Sequence, residues 1–88
     1  MNKSIKGDLV DIPGVGNRLA SYMRDIGINC VEDLKGQSAD DLYERLCDFK
    51  AAHVDRCMLY VFRSSIYYAE NKDHDPELLK WWNWKDKQ

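Results

Sequence analysis

The stretch Leu9-Val10-Asp11-Ile12-Pro13-Gly14-Val15-Gly16-Asn17-Arg18-Leu19-Ala20 constrains this chain more than any other. A proline and two glycines within four residues interrupt any regular element, yet apolar residues on both sides must still reach a common core. Glycine permits positive φ and lets another molecule approach the backbone closely. The turn opens onto a helical pattern from about Asn17 to Ile26, in which Leu19, Ala20 and Met23 share one face. A tight turn feeding a helix N-terminus presents free N–H groups, and the helix dipole there favours an anion. Arg18, in the first turn, adds a charge-assisted contact. A DNA phosphate suits such a site, and Gly14, Val15, Gly16, Asn17 and Arg18 are the candidate contact residues.

The rest of the chain is punctuated in the same way. Asp8 to Asp11 reads as the end of a short first helix whose start Gly7 weakens. Gly27 suits a left-handed helix stop, with Ile28 as the apolar residue after it. Asn29 with Glu32 and Ser38 with Asp41 have N-cap spacings. The helix after Ser38 presents Leu42, Leu46 and Phe49. Val54, Cys57, Met58, Val61, Phe62, Ile66 and Ala69 predict a long central helix over about 52–70. Asp75-Pro76-Glu77 is a strong helix start, and the spacing of Leu78, Trp81, Trp82 and Trp84 predicts a C-terminal helix over about 76–84. No alternating strand pattern bounded by hairpin turns appears. The expected fold is all-α: a compact bundle of five or six helices in one domain over residues 1–88, with the hairpin over about 8–27 at one exposed end.

Composition bounds the function. Apolar residues make up 44% and charged residues 32% of the 88, too apolar for a disordered chain. The net charge of −2 argues against a strong nucleic-acid binder. Its distribution matters more. Residues 1–27 carry four basic and three acidic side chains, whereas residues 28–50 carry three basic and six acidic ones. Three cysteines, Cys30, Cys47 and Cys57, and no secretory signal predict reduced thiols and a cytoplasmic location. No apolar run is long enough for a membrane span.

On the residues from Ile12 to Ala20 the chain resembles the helix-hairpin-helix family of DNA-binding motifs. Pro13-Gly14-Val15-Gly16 matches the hairpin, Ile12 the apolar residue before it, and Ala20 the small residue where two helices pack. Arg18 stands where the family often has a basic residue, and Asn17 replaces a frequent proline. The resemblance implies backbone-phosphate binding without base reading through Gly14, Gly16, Asn17 and Arg18. It also implies, in some cases, a monovalent cation on main-chain carbonyls. Glu32-Asp33-Leu34-Lys35-Gly36, Asp41-Leu42-Tyr43-Glu44-Arg45-Leu46-Cys47, Asp55-Arg56-Cys57 and Trp81-Trp82-Asn83-Trp84-Lys85-Asp86 are similar to the bacterial pathogenicity-locus family of small helix-hairpin-helix proteins, some of which carry a mitomycin-resistance label. The resemblance runs from about Leu9 to Asp86. The order of elements also resembles the C-terminal domain of the TfoX competence regulators. Binders of this type often pair two hairpins. Here the alternatives are a degenerate second hairpin at Lys50-Ala51-Ala52-His53 or a homodimer.

Weaker constellations remain. Arg56, Tyr60, Arg63 and Tyr67 fall on one side of the long helix, as an interaction stripe or as a solvated face of stacked pairs. His53 and Cys57 share a helix face near Cys47, but a zinc site wants four ligands, usually with a close Cys-x-x-Cys pair. Buried thiols more often serve as small apolar residues. The tryptophans read as core anchors first and base-stacking platforms second. Asp73, Asp75 and Glu77 form a helix-start cluster, not an acid/base pair. Helix-hairpin-helix glycosylases and lyases carry extra domains that 88 residues cannot hold. The expectation is a non-enzymatic protein with no catalytic or metal site, binding DNA weakly and without sequence preference. The alternative is a protein-interaction or dimerisation module using the acidic segment around Asp40, Asp41 and Glu44 or the Arg56–Tyr67 stripe.

Overall fold

In the computed structural model, residues 8–85 are described. The expected effect of Gly7 and the match at Asp86 lie outside them. Three α-helices and four 3-10 turns make up the described residues, with no strand among them. This corrects the expected five or six helices. Three of the predicted helices are replaced by four turns of three or four residues, the C-terminal one by two of them, each too short for a ladder of i→i+4 hydrogen bonds.

The first turn, Leu9–Asp11, is held by reciprocal capping. Asp8 accepts from the Val10 N–H (3.4 Å), and Asp11 accepts from the Asp8 N–H (3.3 Å). Helix α1, Asn17–Asp25, buries Ala20 and Met23. It ends as its sequence predicts. Gly27 has φ +94, its N–H donates to the Arg24 carbonyl (3.1 Å), and the Ile28 N–H donates to the Met23 carbonyl (2.9 Å). Those two bonds define a Schellman stop, with buried Ile28 as its apolar residue. The Arg45 guanidinium also donates to the Ile26 carbonyl, tying the end of α1 to the next helix.

Asn29 does not cap the following turn. Cys30 occupies that place before the 3-10 turn Val31–Leu34. The tighter 3-10 closure brings Asp33 back over the preceding backbone, where it accepts from the Asn29 N–H (2.9 Å). Glu32 instead pairs with Lys35 (3.5 Å) at the surface.

Helix α2, Ala39–Lys50, starts at Ser38, whose hydroxyl accepts from the Asp41 N–H (3.4 Å). It buries Leu42, Tyr43 and Leu46. Phe49 keeps the apolar spacing but is 59% exposed, because the last turn of α2 runs past the core. The helix stops at Ala51, a non-glycine residue with φ +52. The Ala51 N–H donates to the Asp48 carbonyl (3.1 Å), and the Ala52 N–H to the Cys47 carbonyl (3.2 Å).

That stop corrects the predicted long helix. Residues 51–52 terminate α2, so helix α3 begins at Cys57 and runs to Glu70. The Asp55 carboxylate receives the Cys57 N–H (3.0 Å) at its start. The Tyr43 hydroxyl donates to the Val54 carbonyl and pins the connector between the two helices. Helix α3 is central as expected. It buries Met58, Leu59, Val61, Phe62 and Ala69 and packs against α2, the Val31–Leu34 turn and both C-terminal turns. Glu70 accepts from the Gly36 N–H (2.8 Å), fixing the far end of α3 to the loop before α2.

The C-terminal helix expected over 76–84 is two 3-10 turns, Pro76–Leu79 and Trp81–Trp84, with extended Lys80 between them. Asp75 starts the first as predicted, accepting from the Glu77 N–H (3.0 Å). Two side chains then take the carbonyls a continuing α-helix would need. The Asn83 amide donates to the Glu77 carbonyl (2.6 Å), and the Trp84 indole N–H to the Leu78 carbonyl (2.7 Å).

Candidate nucleic-acid interface at the hairpin

Ile12 and Val15 anchor the hairpin from below, both nearly fully buried. The Val15 N–H donates to the Ile12 carbonyl (3.0 Å) across Pro13 and Gly14. Proline second and a glycine of φ +86 third are the requirements of a type II turn. Gly14 is therefore demanded by the backbone.

Gly16 is different. Its φ of −96 and ψ of −170 are open to any residue, and a Cβ there would meet nothing within 4 Å. It occupies the N-cap position of α1, yet no side chain caps that helix. Neither strain nor packing requires a glycine at this position. What the glycine leaves is a bare approach to the first-turn N–H groups of α1. Asn17 is the first helical residue, one place beyond the N-cap.

Gly14, Gly16, Asn17 and Arg18 are exposed around this opening, while Val15 faces the core. Arg18 has no ion-pair partner among the described residues, so its charge is available beside the helix N-terminus. Ala20, on α1, has no exposed surface. Behind the turn stands Trp81, whose Cδ1 lies 3.6 Å from the place a Gly14 Cβ would take.

The Arg56–Tyr67 stripe is largely engaged within the molecule. Arg63 donates to the Trp84 carbonyl (2.7 Å), lies 4.0 Å from the Asp40 carboxylate, and sits 5.6 Å from the Tyr60 ring centre. The Tyr67 hydroxyl accepts from the Asp75 N–H (2.8 Å), and its ring meets His74 and Trp84. Arg63 and Tyr67 thus clasp the C-terminal turns to α3, and Arg56 stands at the α3 N-terminus.

Among the described residues no group of three or more His, Cys, Asp or Glu side chains is placed to hold a metal ion. The Cys57 thiol is pushed above its ordinary value of 9.0 by desolvation and then by the Asp55 carboxylate beside it. That is the opposite of an activated thiolate. Desolvation raises the Tyr43 hydroxyl in the same way, with Cys47 adding to it. No described helix is long and apolar enough to cross a membrane.

One feature was not legible in the sequence. A cleft of about 390 Å³ runs from Arg18 and Tyr22 on α1 to the Lys50–Asp55 connector, with Trp81 on its wall. Only the i, i+4 spacing of Arg18 and Tyr22 hinted at a shared face; the connector and Trp81 reach it through tertiary packing.

The model of the family described as Pathogenicity locus matches residues 2–88. The mitomycin resistance protein McrB of Streptomyces lavendulae is 30% identical over 84 residues, covering 96% of this chain and 76% of that protein. No solved structure matches the chain.

Proposed function

We propose, from the premise that this chain belongs to the pathogenicity-locus family, that it is a non-enzymatic DNA-binding protein acting through the hairpin. Leu9–Asp25 is read as a helix-hairpin-helix unit whose first helix is reduced to one 3-10 turn, and the order of elements along the chain is read as similar to that of the TfoX C-terminal domain. The supporting observation is the bare N-terminus of α1. Gly16 leaves its N–H groups uncapped, and Arg18 stands beside them. Main-chain donors at a helix start bind phosphate by position and charge, without reading a base. A monovalent cation on the hairpin carbonyls belongs to the same reading.

One hairpin neutralises about two phosphates, so log affinity should fall against log salt with a slope of about −2. Fluorescence anisotropy with labelled DNA over a salt series tests this. Loss of binding in folded Arg18→Glu is the expected companion result. Absence of binding at low salt, or binding unchanged in that variant, would sink the proposal.

Exposed Phe49 favours a second reading, a contact with another protein or a second copy at the end of α2. An apolar ring left in water is a candidate anchor for an interface. Light scattering of wild type and Phe49→Ser separates the two. A concentration-dependent dimer lost in the variant supports this reading, and a monomer throughout removes the self-association form of it.

A further inference from the structure

Two residues belong to both the hairpin and the neighbouring cleft. Arg18 stands in the first turn of α1 and also on the cleft rim. Trp81 backs Gly14 and also lines the cleft. A ligand whose anion is held at the α1 N-terminus therefore has the cleft within immediate reach.

The cleft's chemistry is specific. Its floor is apolar, made by Met58 and Val61 from the core. Tyr22 and Trp81 supply flat aromatic surface. Lys50 places its ammonium 4.3 Å from the centre of the Tyr22 ring, and Arg18 adds a second cation at the rim. Arg18 and Lys50 outnumber the single carboxylate, Asp55, so the net charge of the rim is positive. The volume of about 390 Å³ lies in the range of small-molecule sites, which are apolar with a few directing polar groups. A flat aromatic ring carrying an anion complements every one of these features, and a nucleotide unit is such a ligand. A base paired inside a duplex cannot enter, because it would first have to leave the stack.

Resting on the hairpin reading above, we infer that the cleft receives an unpaired nucleobase of single-stranded DNA whose phosphate is held by Arg18 and the start of α1. Its stacking partners are aromatic and its rim contacts are charges, so it takes any base.

Three labelled probes test it by anisotropy: a single strand of about 12 nucleotides, an abasic strand of the same length, and the corresponding duplex. The base-bearing strand should bind about tenfold or more tighter than the abasic one, from the usual strength of base–aromatic stacking. Ala52→Trp fills the cleft from an exposed connector position. It should bring the base-bearing strand down to the abasic level and leave abasic binding unchanged, with the fold checked by circular dichroism. As a readout independent of that variant, alkylation of exposed Cys57 on the cleft wall should slow with the base-bearing strand and not with the abasic one. Equal affinities for the two strands, or a preference that survives Ala52→Trp, would overturn the inference. If both strands bind equally and Arg18→Glu weakens both, the hairpin reading stands and the cleft inference alone falls. If neither strand nor the duplex binds at low salt, both fall.

Discussion

Replacing Gly16 by aspartate should move stability and DNA binding in opposite directions. The backbone at this position accepts any residue, and the new side chain enters open space, so neither strain nor a clash opposes it. Aspartate is a better N-cap than glycine by a few tenths of a kcal/mol. A carboxylate at the positive end of the α1 dipole adds about 0.3–1 kcal/mol. Removing a glycine from the unfolded chain contributes about 0.4–1 kcal/mol more. Together these give about 1–2.5 kcal/mol of stabilisation, at about 4–8 °C in melting temperature per kcal/mol for a domain of this size.

The same carboxylate takes the N–H groups a phosphate would use and repels it. Two like charges about 4 Å apart oppose each other by about 1 kcal/mol in water and about 4 kcal/mol near a protein surface. Affinity for DNA should therefore fall by about tenfold or more. Thermal melting by circular dichroism and anisotropy on the same preparation measure both quantities. A variant that melts lower than wild type refutes the capping geometry. One that melts higher and binds DNA as before refutes the assignment of the phosphate to this helix start.

Three further outcomes follow from the fold. Ala51→Gly relieves a left-handed backbone at the end of α2 and should stabilise by about 0.5–1 kcal/mol net of the unfolded-chain entropy, read as a higher melting temperature. Trp84→Phe leaves the Leu78 carbonyl without its indole donor and should destabilise by about 1–3 kcal/mol, whereas Trp82→Ala, at a half-exposed ring, should change stability by less than about 0.5 kcal/mol in the same melts. The Asp55 carboxyl is held below its ordinary 3.8 by the Cys57 backbone N–H and then by a hydrogen bond with the Cys57 thiol. Its contribution is complete above that ordinary value and is lost as pH falls through the lower folded one. The melting-temperature gap between wild type and Asp55→Asn should accordingly narrow in acid, and a gap that widens would contradict the capping role.

Local hydrogen bonding made much of this architecture legible. Gly27, Ser38 and Asp75 act where their spacing predicts, because a cap or a stop depends only on residues within one turn, whereas Asp8, read as part of a helix end, instead starts the Leu9–Asp11 turn as its N-cap. The failures have physical causes of the same short range but without a residue-type signal. Ala51 ends α2 in a conformation that glycine usually supplies, so the apolar spacing of Val54 and Cys57 suggested a helix already running from residue 52. Asn83 and Trp84 fold back onto the carbonyls of Glu77 and Leu78 and break a segment whose periodicity is helical. At the site, Pro13-Gly14 announced the turn correctly. The distinct role of Gly16 became visible only from its ordinary φ and the empty space around it. The clasp of Arg63 and Tyr67 on the C-terminal turns joins residues far apart in sequence, which a single-helix stripe cannot reveal.

The most direct measurement is an amide-resolved NMR titration of the 15N-labelled protein with short DNA at low salt. The account predicts that the amides of Gly14, Val15, Gly16, Asn17 and Arg18 shift together and saturably, while those around exposed Asp40, Asp41 and Glu44 on α2 stay still. Shifts confined to α2, or no saturable shift at the start of α1, would contradict it.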